Sequence, residues 1–100
     1  MRVSERGKDM IHAIKIYPEY FEKVRSGEKT FELRENDRGF REGDYLALNE
    51  WDGHYTGKTE LVKVTYIMNP NDIMPCSGNY VLMSIEYVGS YDSCGKEDAK

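Results

Sequence analysis

Five stretches of this chain alternate side-chain character with a period of two, and only one carries a helical period. That imbalance constrains the fold more than any other feature. His12, Ile14 and Ile16 share one side of a short β-branched run over 11–16, and residues 29–34 place Phe31 and Leu33 opposite Thr30, Glu32 and Arg34. The apolar pair is expected to face inward there. Residues 45–51 form another strand, and over 59–68 Val62, Val64, Tyr66 and Met68 oppose Leu61, Lys63, Thr65 and Ile67. Val81, Met83, Ile85 and Tyr87 alternate in the same way. In contrast, Tyr17, Tyr20, Phe21 and Val24 recur at i, i+3, i+4 and i+7, with Pro18 suited to a first helical turn and Gly27 to a left-handed end. The spacing predicts one principal helix within residues 17–27, with Glu19 and Glu22 early and Lys23 and Arg25 late, as the helix dipole favours. One short helix cannot cover both faces of a flat sheet, so the sheet is expected to curl into a small barrel. The expected class is α+β, a small and mainly antiparallel β-barrel with its helix after the first strand.

Turn chemistry divides the strands. Gly53 and Gly57 suit a hairpin connection over 52–57, which makes the strands on either side antiparallel neighbours. Residues 36–44 read as a loop anchored by Phe40, and 69–79 as a second loop rich in Asn, Asp and Pro. Residues 1–10 and 90–100 lack periodicity and are expected to be flexible tails around a single domain at 11–89.

Composition excludes several functions. One hundred residues with 39% hydrophobic content support one core and little else. Fourteen basic against eighteen acidic residues give a charge of −4, which argues against broad coating of duplex DNA but permits a local basic cleft. Cys76 and Cys94 lack CxxC spacing and read as reduced thiols, while His12 and His54 lack ligand spacing, so no metal is expected. No Gly-rich phosphate loop, GxSxG or HExxH occurs, and no cofactor is expected. No apolar run approaches the roughly 20 residues of a membrane span, and residues 1–9 contain no apolar stretch suited to a signal peptide. The expectation is a cytoplasmic protein without a membrane partner.

The segment with most chemical capacity starts after the helix. Residues 22–44 hold seven acidic and six basic side chains, and Lys29, Glu32, Arg34, Asp37 and Arg38 are the candidate ligand-binding group. Lysine and arginine can meet phosphate, an arginine fork can bind it bidentately, and Glu32 can accept from a base amino group. Lys29, Arg34 and Arg38 are expected to converge on one concave positive patch. Trp51, Tyr55 and Tyr80 are candidate stacking surfaces for a single-stranded base, and His12 is a further candidate ligand-binding residue whose imidazole suits proton transfer.

Gly27, Lys29, Glu32 and Arg34 also match the G-x-K-x-x-E-x-R signature of the ASCH domain, within the PUA-like superfamily. The wider chain resembles a bacterial and phage branch of that superfamily, carried mostly as a domain of unknown function. The similar stretches lie at 12–16, 20–22, 27–34, 36–38, 43–44, 50–53 and 55–57. The resemblance implies a PUA-like pseudo-barrel with a cleft beside the first helix, in a superfamily whose members often bind RNA or modified nucleotides. Some ASCH proteins similar to this one are amidohydrolases of acetylated cytidine that pair the signature lysine with a threonine three residues later; here those positions are Lys29 and Glu32. Three functions follow: a module binding RNA or a nucleotide-like small molecule, an amidohydrolase of N-acylated nucleosides using Lys29 and Glu32 catalytically, and an interaction domain with no small ligand.

Overall fold

In the computed structural model, which describes residues 10–75 and 77–93, the elements are β1 (Ile11–Ile16), α1 (Pro18–Ser26), β2 (Phe31–Glu35), β3 (Tyr45–Trp51), β4 (Tyr55–Met68) and β5 (Tyr80–Asp92). A 3-10 turn lies at Pro70–Asp72. Residues 1–9 and 94–100, expected as tails, and both cysteines lie outside the described residues. The strands form one sheet in the order β1-β3-β4-β5-β2. β1 and β3 run parallel; the other three pairings are antiparallel.

α1 forms where the sequence marks it. Pro18 opens the helix, and Gly27 closes it at φ +86°, donating its amide to the Val24 carbonyl at 3.1 Å. Phe21 and Val24 enter the core with Leu46, Leu48, Val62, Val64 and Met83, and burying these two helical side chains contributes about 3–6 kcal/mol. Tyr17, just before α1, and Tyr20, expected on the same buried stripe, are instead exposed. Buried Glu60 pins the helix to the sheet, accepting from Arg25 Nε at 3.0 Å and from the Ser90 hydroxyl at 2.8 Å. That ion pair holds the Arg25 guanidinium above its ordinary range.

The expected barrel is an open half-barrel. β1 and β2 occupy opposite edges of the sheet, and the curl brings those edges toward each other without a backbone ladder between them. Arginine side chains span the gap: Arg34 donates to the Lys15 carbonyl at 2.7 Å and Arg38 to the Ala13 carbonyl at 2.7 Å. On the opposite edge Lys29 donates to the Phe31 carbonyl at 2.7 Å. Cations thus satisfy carbonyls on both open edges, a device that also discourages pairing with another strand.

Several expectations about facing and extent are corrected. β2 is inverted: Glu32 is buried at 3% exposure, while Phe31 and Leu33 are 48% and 52% exposed. Alternation separates two faces but does not say which points inward, and here two cations compensate the buried carboxylate. β4 begins at Tyr55 and not at 59, so the turn from β3 shortens to 52–54. A register shift between Val64 and Tyr66 exposes Tyr66 and turns Ile67 onto the core, breaking the expected run from Val62 to Met68. Tyr87 is likewise exposed beside a second shift opposite Leu61 and Val62. β5 continues through Asp92, so residues 90–92 belong to the sheet and not to a tail.

Candidate functional site

The seam between the β1 and β2 edges opens beside α1 into a cleft of about 780 Å³. Three local features place its walls. β1 delivers Lys15 to the solvent-facing side of its alternation, and parallel pairing sets Lys15 beside Asn49, two residues from Trp51. The turn of α1 that does not enter the core presents Tyr17 and Tyr20. The inverted β2 turns Glu32 and Arg34 inward, and Lys29 lies just before it.

At the centre lies an ion triad. Glu32 accepts from Lys29 Nζ at 2.5 Å through one oxygen and from Arg34 Nε at 2.9 Å through the other. Lys29 is itself only 15% exposed, because Phe31 and Tyr20 flank it with ring centroids 4.9 and 6.0 Å from Nζ. At the rim Lys23 pairs with Glu28 at 3.0 Å, and its ammonium holds the Glu28 carboxyl below the ordinary carboxylate range. Lys15 has no carboxylate partner among the described residues; its Nζ lies 4.3 Å from the Trp51 ring centroid. Tyr17 tilts against the same indole at 6.2 Å.

The cleft gathers only part of the candidate group. Lys29, Glu32, Arg34 and Trp51 line it. Asp37, Arg38 and Tyr55 line a smaller recess of about 300 Å³ farther along the seam, which shares Lys15 and Arg34 with the cleft. Lys29, Arg34 and Arg38 therefore do not converge on one patch: Arg38 is committed to the Ala13 carbonyl in that second recess. Tyr80 is exposed on β5 opposite Glu35 and lines neither space. His12 is buried and lines neither, with Nε2 2.8 Å from Asp44 Oδ2 and its ring edge-on to Phe40 at 4.8 Å. Asp44 also accepts from the Met10 and Arg41 amides, so the His12 pair ties β1 to the 36–44 loop.

Lys15, Tyr17, Tyr20 and Phe31 are cleft residues that the sequence reading did not select. Their signal was present only as polar-face alternation in β1 and as tyrosines on a helix. Parallel β1–β3 pairing, which no local pattern announces, turns that signal into a site. Among the described residues no group of three or more His, Cys, Asp or Glu side chains could hold a metal ion, and no helix is long and apolar enough to cross a membrane.

Residues 11–85, from the first residue of β1 into β5, match a family described as a domain of unknown function, DUF3850. The chain belongs to that family. It is also similar to an uncharacterised 12.9 kDa protein in the GpA 3′ region of Escherichia phage P2, with 35% identity over 74 residues. The match covers 73% of this chain and 65% of the phage protein. For DUF3850, the matched span contains every residue of the ion triad and every aromatic wall of the cleft.

Proposed function

We propose that the cleft binds RNA or a nucleotide-like small molecule, and that the half-barrel is a PUA-like pseudo-barrel of the ASCH type. The carrying observation is the concentration of Lys15, Lys23, Lys29 and Arg34 around aromatic walls in a chain whose overall charge is −4. Planar bases stack on aromatic faces at about 1–3 kcal/mol each, and cations held in a concave site attract phosphate. Buried Glu32 holds Lys29 and Arg34 in place, so little side-chain freedom remains to be lost there on binding.

A second reading has one observation in its favour: Lys29 and Glu32 touch inside a cleft. Hydrolysis of an N-acyl nucleoside needs a base for the attacking water and a proton for the departing amine. Both Glu32 oxygens already accept from cations, however, which favours binding over base catalysis.

The test is a thermal-shift screen of nucleosides, nucleotides and short RNAs, followed by titration of each hit against Lys29→Ala and Lys29→Arg below the melting range of all three proteins. Binding predicts that arginine retains measurable affinity, while alanine loses at least about fivefold. Unchanged affinity in Lys29→Ala for every hit removes Lys29 from the site. Turnover of an N-acyl nucleoside that Lys29→Arg abolishes, with substrate still bound, replaces the binding reading with the enzymatic one.

A further inference from the structure

We infer that the nucleotide site selects a terminal phosphomonoester, as on a nucleoside monophosphate or a phosphorylated strand end, over the internal phosphodiester of a continuous strand. The inference rests on the nucleotide-binding reading of the cleft and follows from where its charge is left over. Lys23 is matched by Glu28, and Glu32 matches one of the two cations that share it, Lys29 and Arg34. One positive charge remains on that triad, and a second remains on Lys15.

The two surplus charges belong to residues that touch and line the same cleft. Arg34 of the triad donates to the backbone carbonyl of Lys15 at 2.7 Å, and the Lys15 side chain extends from the same residue over Trp51. An internal phosphodiester brings one negative charge to this place, whereas a phosphomonoester brings about 1.5 to 2 near neutral pH. Only the monoester balances both surplus cations. Trp51 and Tyr17, 6.2 Å apart between ring centroids, supply an apolar wall for a base attached to that phosphate. The neighbouring recess does not continue a cationic track, since Arg38 donates to the Ala13 carbonyl and Asp37 lies beside it.

Four probes separate the possibilities on the full chain: uridine, UMP, the dinucleotide UpU and its 5′-phosphorylated form pUpU, each titrated calorimetrically at low salt. UMP and pUpU are expected to bind at least about tenfold more tightly than uridine and UpU, a difference of about 1.4 kcal/mol. Tight pUpU assigns a strand end, and tight UMP with weak pUpU assigns a free nucleotide; both support the inference. Lys15→Gln, a change at an exposed strand position, is expected to weaken UMP about fivefold or more and UpU less than about twofold. UpU binding as tightly as UMP overturns the inference and leaves the nucleotide reading standing. Retention of the preference in Lys15→Gln overturns the role given to Lys15. Failure of all four probes removes both.

Discussion

Replacing Glu32 with glutamine keeps the size of the side chain and removes only its charge and half of its accepting capacity. In the folded protein one carboxylate oxygen faces Lys29 Nζ at 2.5 Å and the other faces Arg34 Nε at 2.9 Å. The amide preserves one acceptor and sets an NH₂ donor against the second cation, so one charge-assisted hydrogen bond is lost and the other is weakened. A charge-assisted bond is worth about 1.5–3 kcal/mol, and orphaning a fully buried ion costs about 3–5 kcal/mol. Two features pull the cost below that upper range: both cations keep a backbone carbonyl partner, and the triad opens onto the cleft. The expected loss is therefore about 2–3 kcal/mol, equivalent to a fall in Tm of about 10–20 °C for a domain of this size. Urea unfolding followed by circular dichroism checks it, with a midpoint about 1–2 M lower and an unchanged slope. The exposed pair provides the control: Lys23→Gln is expected to lower the midpoint far less than Glu32→Gln does. A Glu32→Gln midpoint indistinguishable from wild type would refute the reasoning, because the inverted face of β2 would then lack its stated cause.

Gly27→Ala is expected to cost about 1 kcal/mol by urea unfolding; the added methyl meets nothing within 4 Å, so the whole effect is the strain of φ +86°. Arg34→Gln is expected to speed amide hydrogen exchange in β1 and β2 more than in β3 and β4, since its guanidinium bridges the two open edges. The pH dependence of stability has a defined sign at the cleft rim. The folded-state pKa of Glu28 is lowered by Lys23, so its contribution is present above the unfolded value of 4.5 and is lost as pH falls through the folded value. Lys23→Gln is expected to flatten that part of an acid titration followed by Tm.

Local pattern made the elements legible and left their mutual arrangement dark. Pro18 and Gly27 delimit α1 because their backbone preferences act within one residue. Strand β1 shows the same clarity, with His12, Ile14 and Ile16 buried in strict alternation. β2 resisted the same reading. Phe31 and Leu33 define an apolar face, yet the inward face is fixed by Lys29 and Arg34 satisfying Glu32. The facing change after Val64 comes from a register shift, which carries no mark in the alternation of β4. Glu60 and Asp44 illustrate the same limit, since a carboxylate in sequence reads as surface until its Arg25 or His12 partner is brought from more than thirty residues away. The Lys29, Glu32 and Arg34 cluster was legible because the three lie within six residues of one another. Lys15 and Tyr17 needed the β1–β2 seam, and Arg38 looked like a phosphate ligand because nothing local foretold the Ala13 carbonyl.

Trp51 is the single tryptophan of the chain and forms a wall of the cleft, so its emission reports directly on whether a base enters. The most direct measurement is titration of the intact protein with UMP, exciting at the red edge of indole absorption and correcting for absorption by the nucleotide. Saturable quenching is expected as the base displaces Lys15 from the indole face, with an affinity at least about fivefold weaker in Lys29→Ala. Emission that stays constant up to about 10 mM UMP, well beyond the millimolar range of weak specific binding, would contradict it.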